Sequence, residues 1–138
     1  MCIRDRAEEF FRILSELRTE LTRERFQQVL EAQRSNAEAY RLIGLEADDG
    51  QLVAVAGFRI LHSLSPRGKH VYVDDLVTTA SSRSRGYGHL LLSHIEEIGR
   101  KAGCVACDLD SSVQRFEAHR FYLRERYDIR SFHFRKML

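Results

Sequence analysis

An alternating strand, a loop of small and polar residues and a glycine-containing turn into a helix follow one another in Val71–Leu92, VYVDDLVTTASSRSRGYGHLLL, and this succession constrains the chain most. By period-two alternation Val71, Val73 and Val77 share one face of the strand, and Tyr72, Asp74, Leu76 and Thr78 share the other. The valine face reads as core and the Tyr/Asp face as a cleft wall, with Asp75 on the valine side. Downstream, Tyr87, Leu90, Leu91, His94, Ile95, Ile98 and Ala102 recur with helical spacing. A strand therefore delivers a glycine turn to a helix N-terminus.

The first turn of a helix leaves four backbone N–H groups unpaired and carries about half a positive charge, so phosphates bind there readily. Gly86 and Gly88 lack a Cβ and allow a ligand close to the backbone, while Arg83 and Arg85 add charge beside them. Two phosphate fingerprints are excluded: no Gly-Lys-Ser/Thr follows, and the three-glycine dinucleotide spacing is missing. The same residues also suit a glycine-capped connection with no ligand.

Arg83, Gly86 and Gly88 fill the fixed positions of R-x-x-G-x-G after a strand, which resembles the acyl-coenzyme A pyrophosphate loop of the GNAT superfamily of N-acetyltransferases. The order of elements from about residue 8 onward, and Phe121-Tyr122 on a later helix, extend the likeness. The resemblance implies a mixed α/β (α+β) fold, a central, mostly antiparallel sheet with helices on both faces. It also implies acetyl-coenzyme A held by Arg83, Ser84, Arg85, Gly86, Tyr87 and Gly88.

At 138 residues the chain suits a single domain, residues 1–138, able to bury about 68–70% of its unfolded surface. Residues 1–6, MCIRDR, carry no amphipathic pattern and read as an imprecise or foreign start. The family usually opens with a strand, and none is visible here, which leaves open a chain lacking that edge strand. The net charge is −2 over residues 1–82 and +4 over residues 83–138, a modest basic bias that suits a polyanionic cofactor and is too weak for nucleic acid.

No apolar run approaches the ~20 residues that cross a membrane. Three cysteines, Cys2, Cys104 and Cys107, without a secretory signal make no disulfide framework, so a cytoplasmic location is expected. Cys104 and Cys107 lie three apart in an expected strand and point to opposite faces, against a zinc or redox pair. The histidines, His62, His70, His89, His94, His119 and His133, offer no ligand spacing, and no metal is expected.

Along the chain, Phe10, Phe11, Ile13, Leu14, Leu17 and Leu21 define a helix over 7–21, and Thr22 reads as the N-cap of a second helix. Strands are expected at 39–47 and 52–61, joined by the hairpin signal Asp49-Gly50, with a bulge or close backbone approach at Gly57. After the strand at 69–78 and the helix at 86–102 come a strand at 104–110, a helix capped by Ser111 or Ser112, and a last strand at 128–138.

Acetyl transfer to an amine needs a proton acceptor, because an alkyl amine of pKa about 10 is only about one part in a thousand neutral at pH 7. Asp74 is the first candidate on the cleft face, and a bulge would exchange it with Asp75. Base work by an aspartate requires partial burial or a water relay, with the neighbouring Asp75 assisting. Substrate binding or a salt bridge is the alternative for either.

The family likeness further implies that the main chain of Leu76, Val77 and Thr78 pairs with the pantetheine arm and polarises the thioester. It implies that Tyr122 donates to the coenzyme A thiolate, as against plain packing. Two positions depart from the family pattern. Arg115 stands where an asparagine is common, and remains a phosphate contact. Arg126 replaces a glycine after the tyrosine helix and must adopt φ > 0 or end the helix otherwise.

The expectation is an N-acetyltransferase acting by direct attack in a ternary complex on an unidentified amine of a small molecule or protein, with neither nucleic acid nor membrane as partner. A non-catalytic coenzyme A-binding module on the same fold is the alternative. The family often dimerises, and monomer and homodimer both stay open.

Overall fold

The computed structural model describes residues 6–35 and 40–138. Residues 1–5, most of the unpatterned start, and Ala39, the first residue expected in a strand, lie outside the described residues. The chain forms two compact units, Met1–Asp108 and Leu109–Leu138. In order the elements are α1 (Ala7–Leu17), α2 (Arg23–Ser35), β1 (Arg41–Glu46), β2 (Leu52–His62), β3 (Lys69–Thr78), α3 (Tyr87–Lys101), β4 (Ala106–Leu109) and α4 (Phe116–Arg124).

The strands form one open mixed sheet ordered β1-β2-β3-β4, in which β1, β2 and β3 are antiparallel and β4 joins after the helical crossover α3. The β1–β2 hairpin turns where Asp49 and Gly50 demand it: Gly50 has φ 80°, its N–H donates to Ala47 O, and the Gln51 N–H donates to the Asp49 carboxylate at 3.0 Å. Arg6 ties the start of α1 to this hairpin, donating to Gly50 O at 2.9 Å and pairing with Glu46 at 2.8 Å.

On one face of the sheet, Phe10, Ile13 and Leu14 of α1 and Phe26 and Leu30 of α2 form a core with Leu42, Val55 and Val77. On the other, α3 turns Leu91, Leu92, Ile95 and Gly99 inward, and a Cβ on Gly99 would overlap Val71. Burying each large apolar side chain contributes about 1.5–3 kcal/mol, so these two layers hold the sheet from both sides.

α1 stops at Leu17, four residues short of the span that its apolar spacing predicts. Arg18 leaves the helix with φ −111° and ψ 77°, the Leu21 N–H closes a turn onto Arg18 O at 2.9 Å, and Thr22 then caps α2 through the Arg25 N–H at 3.2 Å. Leu21 still packs on the core, which explains why it continued the helical pattern.

A bulge in β3 corrects the expected faces. Gly57 pairs with Asp75 and Phe58 with Val73, so Asp74 has no cross-strand partner in this ladder. Val71 and Val73 consequently lie on the α3 face, whereas Val77 joins the α1–α2 core. Leu76 and Thr78 pair with Ala56 and Ala54, on the Phe58 face of β2, rather than beside Asp74.

In the second unit, α4 begins at Phe116 with Arg115 at the N-cap and no side-chain cap, so neither Ser111 nor Ser112 plays the expected part. It ends in a Schellman turn: Arg126 has φ 66°, its N–H donates to Leu123 O, and the Tyr127 N–H donates to Tyr122 O at 3.0 Å. Beyond it no strand forms; residues 128–138, expected to be the last strand, are irregular, and Ile129, Phe132 and Phe134, which do not share one alternating phase, are exposed. Among the described residues no helix is long and apolar enough to cross a membrane.

Candidate active site

The bulge places Asp74 and Asp75 on the same side of the sheet. Arg59, the partner of Asp74, projects from β2, and Tyr40, the partner of Asp75, lies over Gly57, two positions from Arg59 on the same face of that strand. Arg59 holds Asp74 in a fork, with Nε to Oδ2 at 2.8 Å and Nη2 to Oδ1 at 2.6 Å, and its guanidinium lies over the Tyr72 ring, 5.4 Å from the centroid. Asp75 accepts from Arg18 Nε at 2.7 Å and from the Tyr40 hydroxyl at 2.8 Å.

Arg18 also donates from Nη2 to Asp74 O at 2.9 Å, so the end of α1 clasps the bulge through a side chain and a main-chain carbonyl. Burial, and next the charge of Asp75, push the Tyr40 phenol above its ordinary value, and it stays a donor. Each aspartate's charge is thus matched by a guanidinium. Each carboxylate still has lone pairs for a further donor.

The second half of the site is the turn into α3. After a short 3₁₀ turn at Ala80–Ser82 the chain runs extended through Arg83, takes a left-handed φ of 62° at Ser84, and reaches Gly86, the helix N-cap, with φ 81°. No side chain caps α3, its first turn holds no acidic residue, and the space where a Gly86 Cβ would stand is open. Arg83, Ser84, Arg85 and Gly86 are exposed, and Tyr87 and Gly88 half-buried. A diphosphate fits such a turn: a helix N-terminus with no acidic residue in its first turn and two flanking cations.

Glu16 fixes this loop to α1. Its Oε2 accepts the Ala80 N–H at 2.8 Å and lies 3.9 Å from Arg83 Nη2. Glu16 and Arg18, two residues apart at the end of α1, therefore hold the loop and the bulge respectively.

Leu76, Val77 and Thr78 form the end of β3 that leads into the loop. β4 meets β3 at the opposite end, where the Val105 N–H donates to Lys69 O at 2.9 Å. Four residues of β4 run beside ten of β3, so the Leu76–Thr78 end extends past β4.

Tyr122 and Arg115 belong to the second unit. Tyr122 is half-buried, its ring 5.2 Å from Phe121 and 6.0 Å from Tyr127; burial raises its phenol, Arg115 opposing, so it keeps its proton. His119 on the same helix bonds to Ser112 O at 2.9 Å. Cys104 precedes β4 and Cys107 lies within it, neither in a disulfide among the described residues.

Sequence reasoning brought out Asp74, Asp75 and the loop but missed Arg18, Arg59, Tyr40 and Glu16. One signal was available: Arg59 interrupts an otherwise apolar strand, and a charge there requires a partner.

Comparison with known proteins gives the family. Residues 5–126 match the model of the Acetyltransferase (GNAT) family. The chain is 42% identical over 129 residues to the protein named Uncharacterized N-acetyltransferase YhdJ of Bacillus subtilis (strain 168), covering 93% of this chain and 89% of that one. Its fold is similar to that of glucosamine-6-phosphate N-acetyltransferase from Arabidopsis thaliana, with a TM-score of 0.80 at 22% identity over 99% of this chain and 94% of that one. It is also similar to AAC(6')-Iy in complex with the bisubstrate analog CoA-S-monomethyl-acetylneamine, with a TM-score of 0.81 at 18% identity over 95% and 91% of the two chains. Mixed sheet, loop and sequence match converge: the chain belongs to the GNAT acetyltransferase family.

Proposed function

We propose that this protein transfers an acetyl group from acetyl-coenzyme A to an amine by direct attack in a ternary complex. The observation that carries the reading is the uncapped, acid-free N-terminus of α3 entered through left-handed Ser84 and Gly86, which leads on from the strand bearing the aspartate bulge. Bound acetyl-coenzyme A supplies the thioester. Arg83–Gly88 hold its diphosphate, with Arg115 a further candidate, and the main chain of Leu76–Thr78 aligns the thioester arm and polarises its carbonyl.

Asp74 and Asp75 orient the amine and take its proton, directly or through a water. Tyr122, whose phenol is protonated at neutral pH and is raised further by burial, donates a proton to the departing sulfur. Cys104 and Cys107 outside any disulfide suit a reducing cytoplasm.

A non-catalytic coenzyme A-binding module is the second reading, favoured by one observation: a guanidinium already occupies each aspartate. Thiol release from acetyl-coenzyme A, measured with and without added amines, separates the two. Catalysis predicts amine-dependent release that falls about 10²-fold or more in Asp75→Asn and Tyr122→Phe. Absence of amine-dependent release by a protein that binds the cofactor would favour the module.

A further inference from the structure

The charges around the bulge alternate. Two carboxylates, Asp74 and Asp75, sit 22% and 14% exposed, and two guanidinium groups, Arg59 and Arg18, stand over them 38% and 56% exposed. A ligand entering here meets the cations at the rim and the carboxylates beneath. Each guanidinium is fixed by two hydrogen bonds that use only Nε and Nη2, and Arg59 also stacks on Tyr72. Among the described residues Nη1 of each has no protein partner, so both forks keep donors for an incoming oxyanion. Because both are already immobilised, gripping one costs little further side-chain entropy.

Taking the acetyltransferase reading as its basis, we propose that the acceptor is a small zwitterion: a primary amine carrying a carboxylate or phosphonate a few bonds away, its amine directed at Asp74–Asp75 and its oxyanion at Arg18 and Arg59. The four side chains sum to zero charge, so a plain amine gains nothing from the rim. A diamine or polyamine would set a second cation against the guanidinium groups, and is disfavoured.

The test compares kcat/KM for four acceptors with the full chain and acetyl-coenzyme A: 2-aminoethylphosphonate, β-alanine, n-propylamine and 1,3-diaminopropane. One of the two acidic amines should exceed n-propylamine by about tenfold or more, the scale of one hydrogen bond to a charged group, with the diamine poorest. The better of the two identifies the oxyanion. In Arg18→Gln and Arg59→Gln the acidic-to-neutral ratio should fall several-fold through KM of the acidic amine, a cooperative thermal transition in each variant serving as the control for folding.

Equal or better use of the neutral amine or the diamine would overturn the zwitterion and leave the acetyltransferase reading standing. So would a ratio unchanged in both variants. If no amine of any class is acetylated, the acetyltransferase reading falls and the inference falls with it.

Discussion

Tyr40 occupies the volume that any side chain at position 57 would need: a Cβ built on Gly57 would overlap the Tyr40 hydroxyl, and that hydroxyl donates to Asp75. The absence of one methyl group in β2 thus permits the contact that orients a candidate catalytic carboxylate in β3.

Gly57→Ala should therefore displace Tyr40 and destabilise the protein by about 1–3 kcal/mol, as overpacking does. Tyr40→Ala removes the obstacle, so the double variant should lose less than the sum of the two single changes. Urea denaturation of the four proteins checks this, and strict additivity would show that the two positions do not compete for space.

Arg126 carries a left-handed φ of 66° at the residue where the Schellman turn favours glycine. That conformation costs an L residue about 1–2 kcal/mol, partly offset by the extra freedom of an unfolded glycine. Arg126→Gly should stabilise by about 0.5–1 kcal/mol. A lower melting temperature for the variant would mean that the arginine side chain contributes more than its backbone costs.

Loss of Glu16 should loosen the loop. Glu16→Ala deprives the Ala80 N–H of a charged acceptor, at about 1–3 kcal/mol, and should weaken coenzyme A binding several-fold; Glu16→Gln, which keeps an acceptor, should lie close to the unaltered protein. Calorimetric titration with coenzyme A distinguishes them, and equal affinity in all three would detach Glu16 from the loop's function.

Burial raises the phenols of Tyr40 and Tyr122 above their ordinary value. On unfolding they would ionise near pH 10, so the native state binds more protons above that pH. The stability contributed by keeping the phenols neutral is complete below about pH 10 and is lost as pH rises through the higher native values. Urea midpoints should fall between roughly pH 10 and 11.5, and less steeply in Tyr40→Phe. Parallel slopes would show that Tyr40 titrates alike in both states.

The β1–β2 hairpin, β3 and the start of α3 were legible because local chemistry decides them: Asp49-Gly50 makes the turn, and Gly86 takes a φ that other residues avoid. The faces of β3 were not, since a single unpaired residue at Asp74, opposite the Gly57–Phe58 step of β2, inverts the alternation. The end of α1 was misjudged because Leu21 packs on the core from outside the helix. Apolar residues at 129–134 suggested a strand, but without a common phase they do not define one face. The guanidinium partners of the aspartates come from the residue after α1 and from β2, separated from them by 57 and 15 residues, a relation no local pattern encodes.

Binding of acetyl-coenzyme A at the α3 turn is the claim on which the rest depends, and thermal unfolding with and without about 1 mM acetyl-coenzyme A tests it. With a dissociation constant a hundredth of that concentration, binding adds about 2.7 kcal/mol and raises the midpoint by several degrees, a shift that Gly86→Val should largely abolish. Identical midpoints in a cooperatively unfolding sample would contradict the account.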